Sequence, residues 1–303
     1  MSHAYLLSAL KLVSDIELPE LMPWGGRPDA PADLVFRLGK VPARLDTSDR
    51  AASGCQAKGR GRYLTVFADE ARVLVENGCA VTVEPAPGTD LTEARAILMA
   101  PVQAVLWHQR GLLPLHASVI GVKGGAVALA GPSGAGKSTL AAVLARAGHD
   151  VLADDICIVD AANGADVLPG TRRLRLWRDA LEHLGIAAEG LPRALSRGEK
   201  YLIEGCEWRA PGRHALAAIV LLSRHAGDAV SIERLRGARS VIALQRVVHM
   251  PQAARALGLE PAIFKALTGL TTFGVTVWQL VMPDNPVCLD EAAATVLSVV
   301  PDG

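Results

Sequence analysis

Short apolar runs broken by polar turns fill residues 1–90. Val35-Phe36-Arg37-Leu38, Tyr63-Leu64-Thr65-Val66-Phe67, Arg72-Val73-Leu74-Val75 and Ala80-Val81-Thr82-Val83 each have the length and β-branched or aromatic content of a strand. Turn residues such as Glu76-Asn77-Gly78 separate them, and stretches 23–31 and 48–61 read as polar loops bearing Gly or Pro. The pattern predicts a small β-rich domain over residues 1–90. Scaffolding is its leading role, with substrate capture or homo-oligomerisation as alternatives.

The period then lengthens. Leu91 to Arg110 has apolar positions at helical spacing, with Thr92 as the expected cap and Gly111 as the stop. A second domain is expected from residue 91 to 303. Leu112 to Ile120 is a strand pattern, Gly121 to Gly125 a turn, and Gly125-Ala126-Val127-Ala128-Leu129-Ala130 a second strand, so the two should pair antiparallel. Thr139 to Gly148 reads as an Ala- and Leu-rich helix closed by glycine. Further on come strands over 216–222, 229–235 and 275–280, helices over 240–248 and 261–271, a helix from Leu289, and a linker over 251–261.

Composition narrows the class. Among 303 residues, Lys+Arg and Asp+Glu are both 31, which argues against a general nucleic-acid binder. Cys55, Cys79, Cys157, Cys206 and Cys288 are odd in number and contain no C-x-x-C pair, so buried thiols in a reducing cytoplasm are expected rather than disulfides or zinc. The start lacks a signal-peptide pattern, and no apolar run reaches the roughly 18 residues of a membrane span, so no membrane partner is expected.

Between the second strand and its helix lies Gly131-Pro132-Ser133-Gly134-Ala135-Gly136-Lys137-Ser138-Thr139, which fits G-x-x-x-x-G-K-[ST]. Glycines let backbone N–H groups turn inward onto phosphate oxygens, Lys137 adds charge for the β and γ phosphates, and the Ser138 hydroxyl can ligate Mg²⁺. A helix N-terminus favours the same anion. Gly131, Ser133, Gly134, Ala135, Gly136, Lys137, Ser138 and Thr139 are therefore the expected contacts for a nucleoside triphosphate. The expected fold class is α/β, a P-loop kinase domain with a mixed sheet behind the β-rich N-terminal domain.

After the helix, Val151-Leu152-Ala153 leads into Asp154-Asp155. Nucleotide enzymes need an acid at a strand end beside the phosphate loop, and two adjacent acids can divide metal binding from proton acceptance. His116, in the strand before the loop, is either a core imidazole or a group at the phosphates. Residues 172–178 carry four arginines; the stretch is either a solvated strand face or a grip on phosphates or an acidic peptide, with Arg175 and Lys200 the candidates for function. Leu195-Ser196-Arg197-Gly198-Glu199-Lys200 loosely resembles the LSGGQ signature of ABC transporter ATPases. The apolar strand that follows ends in Ser223-Arg224-His225 rather than the Asp-Glu such proteins require, so that reading fails.

Leu115-His116-Ala117-Ser118, the phosphate loop and Gly148-His149-Asp150-Val151-Leu152-Ala153-Asp154-Asp155 form an ordered set that resembles the catalytic domain of the HPr kinase/phosphorylase family. Thr171 to Leu176 stands where that family carries a glycine-rich signature, and the chain is more similar to the shorter HPr-kinase-like proteins, including kinases of lasso-peptide precursors that act on a C-terminal serine. The resemblance implies ATP and Mg²⁺ as cofactors, and Lys137 on the phosphates. It also implies Ser138 with Asp155 on the metal, Asp154 as the base that deprotonates a serine hydroxyl, and His116 assisting. The acceptor would be a peptide or protein. A small-molecule hydroxyl kinase and a nucleotide-binding assembly ATPase without an acceptor remain open alternatives.

Overall fold

A computed structural model describes residues 2–46, 50–52, 54–67, 70–162, 164–171, 173–194, 199–203, 212–284 and 288–300. The protein is mixed α/β with mixed sheets, and it divides into two compact units. The first comprises Met1–Pro114 with His249–Ile263; the second comprises Leu115–Ala194, Gly198–Val248 and Phe264–Gly303.

The first unit is built on one sheet. The four strand patterns appear as Leu34–Leu38, Arg62–Phe67, Ala71–Glu76 and Ala80–Pro85. His3–Leu7 and Leu10–Ser14 form an additional hairpin that joins Leu34–Leu38 in parallel. The described part of stretch 48–61 is not all loop: Arg50–Ala52 and Cys55–Lys58 pair antiparallel, and the second of them extends the sheet from Arg62–Phe67. The backbone ladder overrides the polar composition there, because Cys55–Lys58 is paired on both sides and its alternation buries Cys55 and Ala57 on one face.

The helical stretch arrives in three parts, Leu91–Ile97, a π-helical turn Leu98–Val102 containing Pro101, and Gln103–Gln109. Its cap is Asp90, whose side chain accepts from the Thr92 N–H, so Thr92 is a donor to the cap rather than the cap. This stretch belongs with the first sheet, so the units divide after Pro114 and not near residue 90. Stretch 251–261 likewise is no plain linker, since Pro251–Ala256 is helical with Ala253 and Ala254 buried.

In the second unit Ala117–Val122 and Gly125–Ala130 form the expected antiparallel hairpin, turning at Lys123-Gly124 with Gly124 at φ 85°. Val151–Ala153 pairs antiparallel on the outer side of Ala117–Val122. His214–His225 pairs parallel with Gly125–Ala130 and parallel with Thr276–Pro283, and Ser231–Leu235 adds antiparallel to the latter. Helices Lys137–Arg146 and Leu289–Ser298 pack over one face, burying Leu129, Leu140, Leu144, Val220, Leu280 and Val296 together. A ribbon of Leu174–Trp177 and Lys200–Ile203 adds Leu174 and Leu176 to that core.

This topology decides where the chemistry can gather. Gly125–Ala130, Val151–Ala153 and His214–His225 all run one way, and Ala117–Val122 runs against them. The C-terminal ends of the first three and the N-terminal end of the fourth therefore share one sheet edge, where ligands of open α/β sheets bind. Among the described residues no helix is long and apolar enough to cross a membrane. No disulfide joins Cys55, Cys79, Cys157 and Cys288. Cys55 and Cys157 are buried as expected, whereas Cys79 is exposed in a turn and Cys206 lies outside the described residues.

Candidate active site

The loop leaves Gly125–Ala130 at Gly131 (φ 152°), where a Cβ would lie 2.7 Å from the Leu222 carbonyl oxygen. That contact explains why glycine is required as the loop turns across the neighbouring strand. Gly136 (φ 94°) then caps helix Lys137–Arg146, and a Cβ on it would meet Arg224 Nη2 at 2.9 Å. Lys137 is buried, and its Nζ donates to the carbonyls of Gly131 and Pro132, both at 3.0 Å. Burial pushes its ammonium below the usual lysine range, while the carboxylates of Asp155 and Asp154 pull it back up.

Asp154 is buried under the loop. Its Oδ1 accepts from Ser118 Oγ at 2.6 Å and from Ser138 Oγ at 2.9 Å, and its Oδ2 accepts from the Arg175 backbone N–H at 2.8 Å. Asp155, with φ 73°, turns elsewhere. Its Oδ2 accepts from Arg175 Nη1 at 3.1 Å and its Oδ1 lies 3.5 Å from His116 Nδ1. The two carboxylates thus diverge because the chain leaves the strand at Ala153 and turns left-handed at Asp155, not through strand alternation. The serine of the loop is joined to Asp154, not to Asp155.

His116 does not sit within a continuous strand. It occupies a break between Leu113–Leu115 and Ala117–Val122. There its Nδ1–H donates to the Asp155 carbonyl at 3.0 Å, which makes Nε2 the ring's acceptor in the neutral form. Burial lowers its pKa, and the nearby Lys137 charge lowers it further against the raising influence of Asp155.

A cavity of about 160 Å³ opens between these groups. His116, Ser133, Gly134 and Gly136 line it, as do Lys137, Ser138, Thr139 and Asp155. Ala135 instead packs into the core. Arg175 and Lys200 both line the cavity. Arg172 and residues 195–198 lie outside the described residues.

Sequence reading missed Arg224, Ser118 and Trp177. Arg224 lines the cavity from the end of His214–His225, with Nη1 donating to the Asp284 carbonyl at 3.2 Å. Its signal was an apolar strand ending in a cation, which gains meaning only when that strand is known to lie parallel beside the loop strand. The donor set suits Mg²⁺, which takes one or two protein oxygens and completes its shell with water and phosphate. Among the described residues no group of three or more His, Cys, Asp or Glu forms the kind of cage a protein-only metal site would use.

No family model and no curated protein matches the chain. Among solved structures it is similar to the Hpr(Ser) kinase/phosphatase from Coxiella burnetii, over 61% of this chain and 90% of that one, at 11% identity and a TM-score of 0.28.

Proposed function

We propose that the protein is an ATP-dependent kinase that phosphorylates a serine hydroxyl of a peptide or protein. The observation that carries the reading is the convergence of the glycine loop, Lys137 and the Asp154-Asp155 pair at one sheet edge, with Ser138 hydrogen-bonded to Asp154 at 2.9 Å. Lys137, Lys200 and Arg224 line the cavity and suit a triphosphate, while Arg175, also in the lining, is engaged by Asp155. The serine acceptor is supported by the motif order around His116 and the double aspartate.

The contacts favour a division of labour opposite to the one expected from resemblance. Asp154 and Ser138 would hold Mg²⁺, which neutralises charge on the β and γ phosphates. Asp155 faces the cavity and would take the hydroxyl proton as the oxygen bonds to the γ phosphorus and the bond to the β–γ bridging oxygen breaks, releasing ADP. Arg175 holds the Asp155 carboxylate, and His116 fixes the backbone that presents it.

The test is intact-mass analysis of serine-bearing peptides, including one ending in serine, incubated with the protein, ATP and Mg²⁺. A gain of one phosphoryl group, lost in Asp155→Asn, is expected. ATP turnover with no phosphorylated acceptor, or transfer to metabolites alone, would overturn the peptide-kinase reading.

A further inference from the structure

The ribbon strand Leu174–Trp177 alternates strictly. Leu174 and Leu176 enter the core, while Arg175 and Trp177 share the opposite face. Arg175 reaches Asp155 from that face. Trp177, two residues on, lines the same cavity yet leaves 45% of its surface exposed. Lys200, its partner across the ribbon, holds Nζ 5.7 Å from the indole centroid and braces one side of the ring.

The cavity of about 160 Å³ is smaller than the roughly 300–1,000 Å³ of a small-molecule site. It accommodates phosphates, and the rest of a nucleotide must lie beyond it. A second cavity of about 480 Å³ adjoins, sharing Gly134, Trp177 and Asp179 with the first. Gly134 offers no obstruction between them, since even a Cβ there would meet nothing within 4 Å.

The charge changes sign from one cavity to the other. Cations surround the phosphate end, whereas Asp179, Glu182 and Glu199 line the second cavity. Its arginine, Arg178, is engaged with Glu199 at 2.8 Å and with the Tyr201 hydroxyl at 2.7 Å. Such a cavity repels anions and suits a flat, uncharged ring that carries N–H donors, next to hydroxyls.

We infer that Trp177 is the stacking platform for the nucleobase of the triphosphate, with ribose and base in the second cavity and their donors directed at its carboxylates. The inference rests on the nucleotide reading above and adds the base-binding half of the site. Stacking on an aromatic ring depends little on which base is present, so adenine and guanine nucleotides should differ only through the carboxylate contacts.

The experiment compares Mg²⁺–ATP with inorganic tripolyphosphate, which has the phosphates but no base, by calorimetric titration. In Trp177→Ala the Kd for ATP should rise about tenfold, while that for tripolyphosphate stays within about twofold. Trp177→Phe should restore most of the ATP affinity. An unchanged ATP affinity in Trp177→Ala, or equal weakening of both ligands, overturns the platform and leaves the phosphate site standing. Failure of the unmodified protein to bind either ligand overturns the nucleotide reading and the platform with it.

Discussion

Ser138 Oγ donates to Asp154 Oδ1 at 2.9 Å, while the adjacent Asp155 turns away to Arg175. One residue of chain thus separates a carboxylate buried beneath the phosphate loop from one that faces the cavity. Asp155→Asn should lower the transfer rate by roughly 10²–10⁴ with ATP affinity little changed. Asp154→Asn should instead raise the Mg²⁺ concentration needed for half-maximal rate. Steady-state rates across a Mg²⁺ titration separate the two, and a raised Mg²⁺ requirement in Asp155→Asn alone would reverse the assignment.

Arg175 acts through its neighbour. Its Nη1 holds Asp155 Oδ2 at 3.1 Å, and its side chain is 13% exposed. Arg175→Ala should reduce kcat by up to about 10² through misplacement of the carboxylate. Its backbone bond to Asp154 needs no side chain and should persist. A change confined to the KM for ATP would show that the guanidinium serves the phosphates instead.

Glycines of the loop should differ in their tolerance. Gly131→Ala forces a Cβ to 2.7 Å from a backbone oxygen at positive φ and should destabilise the second unit by about 1–3 kcal/mol. Gly134→Ala meets open space and carries only the positive-φ strain, about 1 kcal/mol. Urea unfolding of the two variants measures the order, which would be reversed only if the loop rearranged.

His108 gives the first unit an acid sensitivity. The ring is 2% exposed, its Nε2–H donates to the His249 carbonyl at 2.8 Å, and burial pushes its pKa down to about 4. Below the ordinary 6.5 the unfolded chain takes up a proton that the folded chain does not. Stability present above pH 6.5 is therefore lost as pH falls to about 4, by roughly 3 kcal/mol over the interval. His108→Gln should remove this component, seen as a smaller difference between unfolding at pH 7 and at pH 4.5.

The loop, its flanking strand and helix, the hairpin before it and the acid pair after it were legible because each is a local pattern. Strand Gly125–Ala130 has strand length, the glycine spacing is fixed by phosphate geometry, and Asp154-Asp155 closes a three-residue apolar run. What escaped depended on partners distant in the chain. Arg224 becomes a site residue only through the parallel pairing of Ala130 with Leu221, and Trp177 only through its position beside Gly134. Strand Cys55–Lys58 is polar in sequence because its place comes from the ladder with Arg62–Phe67. The Asp90 cap escaped because Thr92, also a good capping residue, stood two positions later. His116 is open to two readings in sequence because the break it occupies comes from the separate pairing of the strand pieces on either side.

The order of strands also bears on synthesis. Gly125–Ala130 has Ala117–Val122 on one side early, but its other side is covered only by His214–His225, nearly a hundred residues later. Until the ribosome delivers that segment, an apolar strand carries an open row of amide and carbonyl groups, the template on which chains aggregate. Nascent or truncated chains that stop short of His214 are thus a liability to the cell, and a holdase bound during that interval would improve yield without touching the finished protein.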